Sequence, residues 1–294
     1  MNKLAWISDV HLNFLARDDL CRLKFYKTLT DYDAVVISGD IAEGGDVHLY
    51  LNEMGRYTKK PIYYVCGNHD YYGKSFVAVE RKLKNLESKY PNLYYLAMTE
   101  AQKLSDGVYI TGVDGWYDSN NGDYKNSQLQ MTDFRLIKDY EPAVTKRIYT
   151  MQIYWEGLRK IILRKAKKDR RMLSLKLTRL ISLGEVGEIV IVLHVPPFVQ
   201  NSLYGGKIAS DDFLPFYTSK IMGSLLTKFA KKYNNIQFTV LCGHSHHGAY
   251  FSPLENLRVY TAGAKYSNPA IAGIVHINDG SVRIDHTSIA LDGR

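Results

Sequence analysis

Ile62-Tyr63-Tyr64-Val65-Cys66-Gly67-Asn68-His69-Asp70 holds five apolar residues in a row, then a glycine, then three side chains able to bind metal or move protons. A short apolar run that stops at a glycine reads as a buried strand ending in a sharp turn. The same layout occurs twice upstream: Leu4–Ser8 runs into Asp9 and His11, and Ala34–Ser38 runs into Gly39-Asp40. Between these strands, Asp18–Leu29 and Asp46–Tyr57 place apolar residues at helical spacing, and Ser75–Lys89 does so afterwards. Such alternation predicts βαβ units joined by right-handed crossovers.

Working outward, Val108–Val113 reads as another strand, and the stretch from about Trp116 to Leu183 as loop followed by helices. Ile148, Met151, Trp155, Leu158 and Ile162 form one apolar stripe there, and Leu173, Leu177 and Leu180 a second. The charged run Lys167-Lys168-Asp169-Arg170-Arg171 falls between them and predicts a helix–helix corner. Strand pattern returns at Glu188–Leu193 and Phe238–Cys242, with helix at Ser219–Tyr233. Four short strands then close the chain: Gly248–Ser252, Arg258–Thr261, Ile271–Ile277 and Ser281–His286. The expectation is one α/β domain over 1–294 with a basic helical insertion at about 117–185.

The chemistry-bearing residues sit where those strands end. Asp9 and His11 follow the first strand, Asp40 the second, and Asn68, His69 and Asp70 the third. His194 follows the fourth run in Leu193-His194-Val195-Pro196-Pro197, and His244 and His246 the fifth in Cys242-Gly243-His244-Ser245-His246-His247. Functional groups in open α/β sheets gather beyond the carboxyl ends of strands. Oxygen and imidazole donors without thiolate suit a hydrolytic metal site rather than a structural zinc cluster. They are too many for one tetrahedral ion, and a carboxylate shared by two ions would use them all. His247 reads as an exposed neighbour, and Cys66 and Cys242 as small buried hydrophobes.

The order Asp-x-His, Gly-Asp, Gly-Asn-His-Asp, His, Gly-His-x-His resembles the calcineurin-like metallophosphoesterase superfamily, over Asp9 to His246. That resemblance implies a four-layer α/β/β/α sandwich. It implies one metal on Asp9, His11 and His246, a second on Asn68, His194 and His244, and Asp40 bridging both. It also implies that His69 donates a proton to the leaving oxygen and that Asp70 orients it. The activity implied is hydrolysis of phosphate mono- or diesters by a two-metal, bridging-hydroxide mechanism. Manganese or iron suits the mixed donors best, with zinc, nickel or magnesium as alternatives. Gly39-Asp40-Ile41-Ala42-Glu43-Gly44 lacks the arginine that protein Ser/Thr phosphatases carry after Gly-Asp, which counts against a phosphoprotein phosphatase. Met131-Thr132-Asp133-Phe134-Arg135 and the Trp116 segment resemble a bacterial and phage-type branch of unassigned substrate. Arg135 there either contacts substrate phosphate or pairs with a carboxylate.

Composition bounds the rest. A chain of 294 residues, 46% hydrophobic and 23% charged, can bury a large core without staples. Three cysteines make no disulfide framework, no apolar run reaches bilayer length, and the N-terminus has no secretory pattern. A cytoplasmic protein with no membrane contact and no obligate protein partner is expected. The net charge of +8 is local: between Thr145 and Leu183 twelve lysines and arginines face only Glu156 and Asp169, leaving −2 elsewhere. Either this segment is a solvated face, or it draws a nucleotide or nucleic acid to the site. The alternatives to an esterase are therefore a nucleic-acid-binding protein or nuclease using that segment, and a non-catalytic scaffold.

Overall fold

The computed structural model describes residues 2–15, 19–144 and 151–286. Its framework is a pair of six-stranded sheets among the described residues. Four strands of the first sheet, β1 (Lys3–Ile7), β2 (Ala34–Ser38), β3 (Ile62–Val65) and β4 (Leu93–Tyr95), are parallel to one another. The middle of the chain supplies β5 (Gln102–Ser105), β6 (Val108–Gly112), β7 (Glu188–Val192), a small hairpin of β8 (Leu203–Tyr204) and β9 (Lys207–Ile208), and β10 (Gln237–Cys242). The last four strands are β11 (Ala249–Leu254), β12 (Leu257–Thr261), β13 (Gly273–Asn278) and β14 (Ser281–His286). The second sheet runs β11-β12-β10-β7-β6-β5, with β6, β7, β10 and β12 parallel. β13 and β14 return to the first sheet, where β13 lies antiparallel beside β1 with Leu4 opposite Val275.

Period-two alternation explains the layering. Leu4 and Trp6 of β1 join Val36, Val65, Val190, Val192 and Leu241 in a dry core between the sheets. Their neighbours Ala5 and Ile7 face the other way, against helices α1 (Asp19–Leu29), α2 (Val47–Thr58) and α3 (Phe76–Glu87). Two short helices follow, α4 (Asp133–Leu136) and α5 (Glu141–Val144), then the long α6 (Met151–Ile181), α7 (Leu214–Tyr217) and α8 (Lys220–Lys232). α8 covers the second sheet through Met222, Leu226 and Phe229 against Ile191, Phe238 and Val240. The layers are helix, sheet, sheet, helix, as expected.

The insertion departs from expectation. α6 is one helix of 31 residues, about 46 Å long at 1.5 Å per residue, with no corner at Lys167–Arg171. Leu158, Ile162 and Ala166 pack with the first outer core, and Leu173, Leu177 and Leu180 with the second. The apparent gap between the two stripes is filled by buried charge, Lys165 and Asp169, and buried Lys176 continues the same inward face within the second stripe. Lys165 Nζ lies 2.8 Å from Asp114 Oδ2 and 2.9 Å from Asp169 Oδ1. Lys176 Nζ donates to the carbonyls of Leu96, Thr99 and Gly112, and burial lowers it to about 8. Lys168 pairs with Glu80 and Arg179 with Glu100. Four of the segment's twelve basic residues are thus spent inside the fold or on neighbouring carboxylates. Ile148 of the first stripe and Asp18 of the first predicted helix lie outside the described residues. No helix of the described residues is long and apolar enough to cross a membrane.

Candidate metal centre

Each of the long parallel strands delivers its polar residues at its carboxyl end, and the turns that do so are unusually tight. Asp9, His11, Asp40, His244 and His246 all have positive φ, between 39° and 70°. Non-glycine residues occupy this region at a steric cost, and such clusters mark functional sites. Gly67 is required by close approach: a Cβ there would collide with the Asp40 carboxylate and the His194 ring.

Asp9, His11, Asp40 and His246 offer ligand atoms to one point, and Asp40, His194 and His244 to another. The two Asp40 oxygens face different halves, Oδ2 lying 3.8 Å from His11 Nε2 and Oδ1 3.5 Å from His194 Nε2. The other ring nitrogens of His194 and His244 are fixed. His194 Nδ1 lies 2.9 Å from the Ser38 carbonyl and His244 Nε2 3.0 Å from that of Phe216, so these atoms carry the protons. That turns His194 Nε2 and His244 Nδ1 inward, the arrangement that orients imidazole for a metal, which would take the place of the proton on His194 Nε2. Asn68 Nδ2 donates to Asp133 Oδ1 at 2.9 Å, which turns Asn68 Oδ1 inward, 3.1 Å from His194 Nε2. His11 Nε2 and His246 Nε2 stand 3.4 Å apart. Acceptors brought this close repel unless a proton or a cation lies between them.

Charge tells the same story. Burial pushes Asp9 up, but the hydrogen bond and charge of His246 outweigh it and hold the carboxyl at about 2. Burial lowers His11 to about 4 and His244 to about 3, which keeps both neutral and ligand-ready. Burial is overcome at His194, which the Asp40 carboxylate raises to about 10. Asp9 and Asp40, each about 1% exposed, lack compensating positive charge other than protonated imidazole. The donor set therefore fits two divalent cations.

All seven residues expected to hold metal converge. Around them stand residues that sequence adjacency did not reveal. The expectation that Asp70 orients His69 needs correction: the Asp70 carboxylate accepts from the backbone N–H groups of Ile41, Ala42 and Gly67, at 3.0, 2.9 and 2.8 Å. It ties the turn after β2 to the turn after β3. His69 Nδ1 instead meets Glu43 Oε1 at 2.8 Å. Asp133 also accepts from Tyr72 and Tyr117, and its burial explains why a residue far along the chain serves Asn68. Asp114 accepts from the Cys66 N–H, Tyr71 and Tyr95, so the Lys165 triad supports the strand end that carries Asn68. Arg135 is exposed and does not line the cleft above the centre, whereas His247 does. That cleft measures about 430 Å³, and none of the basic residues of α6 lines it.

Two sheets that feed carboxylates and imidazoles from their strand ends into one paired cluster define a metal-dependent hydrolase. The family model for calcineurin-like phosphoesterases matches residues 3–248, and the chain belongs to that family. It is accordingly a phosphate-ester hydrolase, of a family built on a binuclear divalent metal centre. Similar solved structures include phosphopantetheinyl hydrolase from Mycobacterium tuberculosis, at 16% identity and TM-score 0.61 over 90% of this chain and 89% of that one. A dimetal phosphatase from Danio rerio aligns at 13% identity and TM-score 0.55, over 95% and 93%. At these identities the likeness is one of fold. No curated protein sequence matches the chain.

Proposed function

We propose that the chain hydrolyses a phosphate ester at two divalent ions, with His69 as the proton donor to the leaving oxygen. Asp9, His11 and His246 would hold one ion, Asn68, His194 and His244 the other, and Asp40 both. Mixed oxygen and nitrogen donors favour manganese or iron. When bound, the pair supplies charge neutralisation for the phosphoryl oxygens and acidifies the attacking water.

The observation that carries the acid role is the pair of contacts made by His69. Nδ1 is engaged by Glu43, while Nε2 points back toward the cluster, 3.9 Å from Asp40 Oδ2. A carboxylate on Nδ1 fixes the ring and favours the protonated imidazole that an acid needs. Burial lowers His69, but the Asp40 carboxylate and the Glu43 hydrogen bond outweigh it and raise the ring to about 9. Cations on Asp40 would screen the first contribution and bring His69 back toward neutrality, where a general acid works best. The Glu43 contribution would persist. The backbone N–H of His69 donates to Asp40 Oδ1 at 2.9 Å, coupling the position of the acid to that of the bridge.

His69→Asn should keep both metals and lose about 10²–10⁴ in kcat on alkyl phosphates. The loss on p-nitrophenyl esters should be far smaller, because that leaving group barely needs a proton. Equal losses on the two ester classes would sink the acid role. Loss of metal would make His69 a ligand, alongside His11 and Glu43, whose donor atoms also lie within reach of one another.

A further inference from the structure

The walls of the cleft carry information about the rest of the substrate. Among the described residues lining it there is no lysine or arginine. Lys207 on the β8–β9 hairpin and Lys265 are exposed and lie outside that lining. Asp40 and Asp133 line its floor, so negative charge would be received by the cations and the protonated His69 beside them. One phosphoryl group fits that arrangement. A polyphosphate or a nucleic-acid strand does not, since each needs a track of cationic side chains.

Aromatic rings take the place of cations. Tyr204 on the hairpin is 72% exposed, Phe213 37% and Tyr266 51%, and all three line the same cleft. Exposed aromatics scattered singly need no explanation, but convergence on one metal centre does. Tyr204 and Phe213 lie nearly parallel, with an interplanar angle of 20° and centroids 6.4 Å apart. Phe213 continues to Tyr217, 5.5 Å away, and Tyr217 to His244, 4.7 Å away. This is a run of ring faces leading from solvent to a ligand of the centre. On the opposite side Tyr266 packs on His11 and His246, at 4.6 and 4.8 Å.

Taking the phosphate to sit at the centre as proposed above, we infer that the cleft selects esters of a single phosphate bearing an uncharged planar ring. That ring lies against Tyr204 and Phe213. The ring is an aryl group or a nucleobase, and both present the same flat, neutral face for stacking.

The test is a binding measurement that does not depend on turnover. Calorimetry on the manganese-loaded protein would compare 2-phenylethylphosphonate with ethylphosphonate, which match in charge and resist hydrolysis. The ring should tighten binding about ten-fold, and the 5′-phosphonate analogue of adenosine serves as the nucleobase arm. Whichever ring compound binds tighter assigns the ring type and supports the inference. Tyr204→Ala combined with Phe213→Ala should shrink the preference to within about two-fold, whereas Tyr204→Phe should retain it. Equal affinity of all three phosphonates would overturn the inference, as would tighter binding of octathymidylate. Neither result bears on the His69 test, which reads leaving-group dependence.

Discussion

Lys165→Met should be among the most destabilising single changes in this chain, although Lys165 sits in its most basic stretch. The structure sets the magnitude. Lys165 is 5% exposed and its ammonium lies between Asp114 and Asp169, themselves 1% and 2% exposed. Methionine fills the space but leaves two buried carboxylates without a cation, a change that costs about 3–5 kcal/mol. With a urea m-value near 3 kcal/mol/M, the unfolding midpoint should fall by about 1 M or more. Lys168→Met, three residues on, breaks only a half-exposed pair with Glu80 and should cost roughly 0–1 kcal/mol. The pH dependence adds a second signature. In the wild-type chain burial pushes Asp114 up, but Lys165 outweighs it and holds the carboxyl low. That contribution is present above the ordinary carboxylate range and is lost as the pH falls below it through the carboxyl's lowered folded value. Burial already holds Asp169 up at about 6 in the wild-type chain, and without Lys165 it raises both carboxyls further above their unfolded values, so the native state binds more protons than it does with the lysine in place. The variant should therefore regain stability as the pH falls from about 7 toward 5. Lys165→Met and Lys168→Met with equal midpoints, and no such recovery in acid, would refute the buried-triad reasoning.

Asp40→Ala should empty both metal positions while His11→Ala mainly weakens one, as metal analysis after dialysis would reveal; full occupancy in Asp40→Ala would contradict the bridging role. Asp133→Leu removes the acceptor that turns Asn68 inward, and metal affinity at the Asn68, His194 and His244 position should fall about 10–100-fold, measured by competition with a chelator. Glu43→Gln should lower kcat on alkyl phosphates by roughly ten-fold and on p-nitrophenyl esters by less, a weaker copy of the His69→Asn pattern, whereas an effect confined to KM would remove Glu43 from the proton-transfer apparatus.

Much of this fold and its donor set was legible in the sequence because two simple regularities coincide. Buried parallel strands are continuous apolar runs, so Ala34–Ser38 and Ile62–Val65 stand out, and their polar residues come directly after them. What eluded reading depends on contacts between distant segments. Glu43 reaches His69 only because the chain reverses after Asp40, whereas adjacency pointed to Asp70. Asp133 became visible as a support for Asn68 only with α4 in place. The run Lys167–Arg171 looked like a solvated corner because charge normally marks exposure. Asp169 breaks that correlation by pairing with Lys165 one helical turn away.

The pairing of β1 with β13 makes assembly of the first sheet wait on synthesis. β1, β2, β3 and β4 emerge from the ribosome early, yet one edge of β1 has no neighbour until Gly273–Asn278 has been made. Until then Trp6 and Leu4 face a second sheet that is itself incomplete, because β10 and β12 are also late. From the making of β1 until that of β13 the nascent chain therefore carries an open, apolar strand edge, the kind of surface that chaperones hold and that aggregates when they do not.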